Sequence, residues 1–171
     1  RNFYKDGYNP LVPRYDDMSN VSDVKRANPE RYRFVEFPIY GSLVYFGYLI
    51  WGGVDERVAR VVAICFALGA TTLLYFLSAR HFGRVVGIVS AFVFAVMPFS
   101  VYYGRAILPE SSLVFFSLGM VYFLDRWIWE NKWWLVIVGL VFGAMAILTK
   151  PMGIFYALVL VYSIVKKEKG L

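Results

Sequence analysis

The sequence contains one cysteine and one histidine among 171 residues. One cysteine cannot form an intramolecular disulfide, so the chain is not a disulfide-stapled domain, and we expect Cys65 to pack as a small apolar residue. His81 lies in a short basic turn, where we expect a solvated side chain rather than a base or a metal ligand. No glycine-rich loop of the kind that cradles nucleotide phosphates is present, which argues against nucleotide hydrolysis.

An initiator methionine and a signal-peptide pattern are also missing, since the sequence begins at Arg1 and continues directly into a polar loop. We therefore expect a fragment of a longer protein or a processed chain. The net charge of +6 is spread over turns that flank apolar runs and is not gathered on one soluble basic face. This distribution argues against a nucleic-acid partner.

Long apolar runs dominate what the sequence does contain. Hydrophobic residues make up 59% of the chain and aromatic residues 19%, and the mean hydropathy is +0.55. These values are typical of a membrane protein, and several runs approach the roughly 20 residues that a helix needs to cross a bilayer. The sequence predicts an all-α, polytopic transmembrane helical bundle with about five spans, at residues 58–77, 85–101, 113–124, 133–148 and 152–165.

Two further segments precede these spans. Residues 1–36 are polar and rich in turn-forming residues, which predicts an extracytoplasmic loop. Residues 37–53 are apolar but short for a span, so we expect a juxtamembrane helix at the outer surface, with Tyr40, Leu43 and Phe46 in the interface. Residues 54–171 then form the transmembrane helical region.

The distribution of Lys and Arg predicts the orientation of the spans, because short cytoplasmic loops carry an excess of both. One set of span ends holds most of them, namely Arg80, Arg84, Arg126, Lys132, Lys166, Lys167 and Lys169. The opposite set holds Arg57, Arg60, Arg105 and Lys150. We therefore expect the first set to be cytoplasmic and the second to face outward.

The turn at residues 102–112 places Arg105 and Glu110 around Pro109, between two apolar runs. Ionisable groups are expensive near lipid, so such a turn indicates either an anchor or a reactive site. Carboxylates can act on a nucleophile and cations can neutralise a leaving anion, so a reactive site of this kind needs both. Glu36, Glu110, Arg105 and Lys150 supply both kinds of group at the predicted outer face.

The order of these pieces resembles the GT-C type membrane glycosyltransferases, in particular family 39, which includes protein O-mannosyltransferases and aminoarabinose transferases. The resemblance is carried by residues 1–4, the segment Glu36-Phe-Pro-Ile-Tyr40, the turn Arg80-His-Phe-Gly-Arg84, the turn 103–110 and Leu148-Thr-Lys-Pro151. It implies an inverting transferase that moves a sugar from a polyprenyl-phosphate donor to a protein or lipid acceptor at the extracytoplasmic face of the cell membrane.

The same resemblance implies roles for individual residues. Glu110 matches the second acidic position of the site, and Glu36 matches an acidic position at the start of the juxtamembrane helix. Arg105 and Lys150 match basic positions near the carrier phosphate, and Tyr103 belongs to the same substrate-binding turn. The family's general base would lie upstream of Arg1, so we expect the isolated fragment to be inactive.

Two carboxylates also suit a divalent metal ion, which takes oxygen ligands, so Glu36 and Glu110 are candidate ligands for one. Simpler interpretations stay open for each residue: Arg105 as an interfacial anchor, Glu110 as a helix-terminal charge and Glu36 as a solvated acid. Two other classes of protein also stay open, a membrane transporter or flippase and a non-catalytic membrane subunit. A transporter usually places its charges near the bilayer midplane, whereas these lie at one set of span ends.

Overall fold

The computed structural model describes residues 2–14 and 36–168. The described residues form eight α-helices and one 3₁₀-helix. The α-helices are α1 (Asn2–Asp6), α2 (Ile39–Trp51), α3 (Glu56–Phe82), α4 (Arg84–Val96), α5 (Pro98–Tyr103), α6 (Glu110–Glu130), α7 (Trp133–Thr149) and α8 (Leu158–Glu168), and the 3₁₀-helix is Pro151–Ala157. The all-α prediction is confirmed for this part of the chain.

Each predicted span corresponds to a helix or a pair of helices. Two helices, α3 and α6, are long and apolar enough to cross a membrane, and α2, α4 and α7 are shorter apolar helices. Together they are consistent with a helical membrane bundle, while the number of five spans stays a prediction. The predicted loop 1–36 begins with α1, and residues 15–35 of that loop lie outside the described residues.

A proline divides one of the predicted spans, and another proline precedes a span that begins as a 3₁₀-helix. The run 85–101 is broken at Pro98, since α4 ends at Val96 and α5 begins at Pro98, with Met97 in an extended conformation between them. A proline lacks the N–H for the helical hydrogen bond and disfavours helical dihedrals in the preceding residue. The run 152–165 likewise begins as the 3₁₀-helix after Pro151 and becomes α8 only at Leu158.

Small residues let the central helices approach closely. An ideal Cβ on Gly119 of α6 would lie 2.0 Å from the ring of Phe142 on α7. A Cβ on Gly139 of α7 would in turn lie 2.6 Å from the side chain of Leu124 on α6. Each helix therefore lets a large side chain of its neighbour pack against its backbone, the arrangement by which helices associate where lipid provides no hydrophobic drive.

Helix α2 packs against α3 through one face. Tyr40, Val44 and Tyr48 are buried there, and the Tyr40 hydroxyl donates a hydrogen bond to the carbonyl of Ala59 at 2.8 Å. Tyr40, which we expected in the lipid interface, thus lies inside the protein. Leu43 on the same helix is exposed, as is Phe46, so the outward face of α2 is apolar.

A buried aspartate joins three helices at the end of the bundle opposite Glu110. Asp125 of α6 is fully buried and accepts hydrogen bonds from Arg80 Nε at 3.1 Å and from Ser163 Oγ at 2.5 Å, and it lies 3.0 Å from His81 Nε2. Only 10% of the His81 side chain is exposed, so the expectation of a solvated loop histidine is wrong. Helix α3 extends into the basic turn as far as Phe82 and places His81 against Asp125.

Candidate active site

Three segments meet at the side chain of Lys150. Its Nζ lies 2.7 Å from Glu110 Oε1 and 3.4 Å from Glu36 Oε1. All three side chains are about one quarter exposed, so the group borders solvent without being fully hydrated. The structure therefore brings together three of the residues that the sequence analysis singled out.

The local sequence explains how each of these side chains is placed. Lys150 precedes Pro151, which favours an extended backbone, so helix α7 ends at Thr149 and Lys150 turns away from the helix axis. Glu110 is the first residue of α6, and a carboxylate is favoured there by the positive end of the helix dipole. Glu36 is held near Lys150 because the next residue, Phe37, donates its N–H to the carbonyl of Leu148 at 3.0 Å.

The hydrogen bond to Glu110 is the main electrostatic feature of Lys150. It raises the pKa of the Lys150 ammonium above its usual value, and the charge of Glu36 acts in the same direction, while partial burial opposes both. Lys150 therefore stays charged throughout the physiological range. The second carboxylate oxygen of Glu110, Oε2, is buried and has no hydrogen-bond partner among the described residues.

Arg105 and Tyr103 lie on a different side of Glu110. Both line an apolar cavity of about 220 Å³ between α3, α4, α5 and the start of α6, which Glu110 also borders. The Arg105 side chain is exposed and makes no ion pair within the described part of the chain. Arg105 is thus a free cation at the edge of an apolar space, whereas Lys150 is occupied by two carboxylates.

A second cavity, of about 650 Å³, opens on the other side of Glu110. It is bordered by Glu36, Lys150 and Glu110, and by Asn2 and Tyr40 among others. Glu110 therefore stands between the two cavities. An arrangement of this kind allows one carboxylate to contact ligands that arrive from two directions.

Glu36 and Glu110, the candidate metal ligands, are not joined by a third ligating side chain among the described residues. The described residues contain no group of three or more His, Cys, Asp and Glu side chains that could hold a metal ion. Glu36 and Glu110 are related instead through the Lys150 ammonium, and a positive group between two carboxylates opposes binding of a second cation.

Asp125 is the charged residue that the sequence analysis missed. Its partners Arg80, His81 and Ser163 are far away in sequence, so no local pattern identifies it. Its position at the edge of an apolar run could have drawn attention to it, because an acid in such a place needs partners from other helices. Its contacts are intramolecular, and it lies at the opposite end of α6 from the candidate site.

Residues 38–170 match the family described as dolichyl-phosphate-mannose-protein mannosyltransferase. An uncharacterized protein of Aquifex aeolicus is 35% identical over 126 residues, which cover 72% of this chain and 28% of that protein. The chain thus spans less than a third of that relative's length. No solved structure matches the chain.

Proposed function

The chain belongs to the dolichyl-phosphate-mannose-protein mannosyltransferase family, and we propose that it forms part of an active site that transfers a sugar from a polyprenyl-phosphate carrier. The match confirms the resemblance to GT-C type membrane glycosyltransferases. The single observation that carries the proposal is the position of Glu110, which borders both the cavity at whose edge Arg105 lies and the cavity that Glu36 and Lys150 border.

The first cavity suits the donor. Its walls are almost entirely apolar and come from helices that include α3 and α6, the two long enough to cross a membrane, so an isoprenoid chain can enter it from the lipid. Arg105 at its edge has a planar guanidinium that can bind two phosphate oxygens at once. Charge grows on that phosphate as the sugar leaves, and a fixed cation there stabilises the transition state.

Glu110 faces the acceptor in this proposal. The acceptor hydroxyl oxygen attacks the anomeric carbon on the side opposite the phosphate, its proton passes to a carboxylate, and the bond between the anomeric carbon and the phosphate oxygen breaks. Glu110 Oε1 accepts a hydrogen bond from Lys150, so we assign the hydrogen bond from the hydroxyl to Oε2, which is buried and has no partner among the described residues. The matched part is 28% of the Aquifex aeolicus protein, so we propose that other parts of a longer protein contribute to the site and expect this segment alone to be inactive.

Substitution in the full-length protein tests the proposal. The assay follows transfer of mannose from polyprenyl-phosphate mannose to a serine- and threonine-containing peptide, with the enzyme in lipid nanodiscs. Glu110→Gln and Arg105→Ala should each lower the rate by a factor on the order of 10², because each removes a preorganised electrostatic contact. Lys132→Ala is the control, since the Lys132 side chain pairs with Glu130 at the other end of α6, at 3.1 Å.

Normal turnover by both site variants would contradict this assignment. The proposed extracytoplasmic position has its own test in intact cells, with single cysteines introduced at Phe82 and Leu108 in a Cys65→Ser background. Both positions are exposed, so a membrane-impermeant maleimide should label position 108 and spare position 82. Labelling of position 82 alone would place the site on the cytoplasmic face.

A further inference from the structure

We propose that Lys150 is a positioning residue whose ammonium organises Glu36 and Glu110 in the place where a divalent metal ion would otherwise bind. The proposal rests on the proposed function for its catalytic meaning. Whether Lys150 or a metal ion is the cation between the two acids is a question that does not depend on that function. It also differs from the role that the family resemblance implies for Lys150, contact with the carrier phosphate.

The contacts of Lys150 support this assignment. One nitrogen lies 2.7 Å from a carboxylate oxygen of α6 and 3.4 Å from a carboxylate oxygen of the segment before α2. The two acids belong to different parts of the chain, and two carboxylates that share a site repel each other unless a cation stands with them. Lys150 supplies that cation from the end of α7, so three segments are joined by one charged side chain.

The backbone shows that Lys150 is built into this position. Its own N–H donates to the carbonyl of Ala146 at 2.9 Å, and its carbonyl accepts from Gly153 N at 2.9 Å. Both sides of the residue are therefore fixed, one by the last turn of α7 and the other by the 3₁₀-helix. From this fixed backbone the ammonium contacts both acids, whereas Arg105 makes no ion pair among the described residues and is free to bind a substrate phosphate.

Charge and ligand number both oppose a metal ion here. Magnesium and calcium need several oxygen ligands at about 2.0–2.6 Å, and the described residues offer two carboxylates with a fixed positive charge between them. One ammonium stands with two carboxylates, which leaves one carboxylate function available for the acceptor. In this arrangement the lysine neutralises part of the charge of the two carboxylates, as a metal ion would, but it does not coordinate the acceptor.

Manganese binding to the purified full-length protein tests the proposal without requiring turnover. Free Mn²⁺ is followed by electron paramagnetic resonance in the wild type, in Lys150→Met, which keeps the length of the side chain without its charge, and in Lys150→Arg. Removal of the like charge should raise the affinity of Lys150→Met for Mn²⁺ by at least about tenfold over wild type. Lys150→Arg should resemble the wild type.

Two further variants assign the signal to this site. Addition of Glu110→Gln to Lys150→Met should abolish the gained binding, and Lys132→Met at the opposite end of α6 should gain none. If sugar transfer is observed, chelator should leave wild-type turnover unchanged, and Mn²⁺ should restore part of the turnover that Lys150→Met loses. If no transfer is observed, the proposed function fails while the binding experiment still decides the role of Lys150.

The proposal is overturned if the wild type binds Mn²⁺ tightly and Glu110→Gln removes that binding, because the acids would then form the metal site in the presence of Lys150. A folded Lys150→Met that gains no binding overturns it as well. Should Lys150→Met not fold, the comparison of wild type with Glu110→Gln decides alone: equal, weak Mn²⁺ binding by both supports the lysine as the resident cation.

Discussion

Replacement of Asp125 by Ala should destabilise the bundle more than any other change of a single acid in the described residues. Asp125 is fully buried on α6 and contacts Arg80 and His81 of α3 and Ser163 of α8. Removal of its carboxylate leaves all three polar groups without their shared partner. Because these groups belong to α3 and α8, the substitution weakens the contacts of α6 with both helices at this end of the bundle.

The expected magnitude follows from the exposure of those partners. Removal of one member of a buried ion pair commonly costs about 3–5 kcal/mol, since the remaining charge is left uncompensated. The Arg80 side chain is 30% exposed and keeps a second carboxylate, Glu130, at 3.5 Å, so it is only partly stranded. His81 and Ser163 have less access to water. We therefore expect Asp125→Ala to cost about 3 kcal/mol, at the lower end of that range.

Unfolding by sodium dodecyl sulfate in mixed micelles, followed by circular dichroism, measures this free energy. Glu56→Ala is the matched control, because Glu56 forms an exposed ion pair with Arg60 at 3.5 Å within one helix. Such a pair contributes no more than about 0.5 kcal/mol. If Asp125→Ala costs less than about 1 kcal/mol, or no more than Glu56→Ala, the contacts of Asp125 do not hold these helices together and the reasoning fails.

Two other predictions concern the contacts of α6 with α7 and with Lys150, the residue that follows α7. Gly119→Ala should destabilise the bundle by about 1–3 kcal/mol, because its Cβ would overlap the Phe142 ring, whereas Gly53→Ala has open space around it and should be nearly neutral in the same unfolding assay. The raised pKa of Lys150 predicts slow acylation of its side chain by an amine-reactive reagent at alkaline pH. Glu110→Gln should speed this acylation, because loss of the hydrogen bond lowers the pKa of Lys150 and increases the fraction of free amine. The stabilisation from this ion pair is accordingly present below the pKa of an unfolded lysine and is lost as pH rises through the higher folded pKa. Equal labelling of Lys150 in both proteins would contradict the pairing.

The helices could be predicted from sequence because their signal is local. An apolar run of sufficient length predicts a helix without knowledge of its neighbours, and each predicted run is helical in the structure. The run 113–124 was nevertheless predicted too short. Helix α6 continues to Glu130 because Asp125 pairs with Arg80 and Arg126 pairs with Glu130. Charged residues that indicate the end of a span in the sequence are therefore part of the helix.

The residues of the candidate site could be proposed from the sequence, but the contacts between them could not. Glu36, Glu110 and Lys150 were recognised from their positions in motifs, whereas the bond from Lys150 to Glu110 depends on how the end of α7 meets the start of α6. Residues that far apart in sequence are brought together by packing, which no motif encodes. The family resemblance assigned Lys150 to the carrier phosphate, and the contacts that lead us to a different proposal became visible only in the fold.

The 3₁₀-helix belongs to a segment that makes two polar contacts with α6, at Glu110 and at Asp125. At 1.5 Å per residue, the rise from Glu110 to Asp125 along α6 is about 22 Å. The segment from Lys150 to Ser163, which contacts both acids, would rise only about 20 Å as a continuous α-helix. Seven of its residues are 3₁₀-helical, and at about 2.0 Å each they lengthen the rise to about 23 Å. A 3₁₀ stretch of this length is uncommon, and here it brings the rise of the segment close to that of α6 between the two acids that the segment contacts.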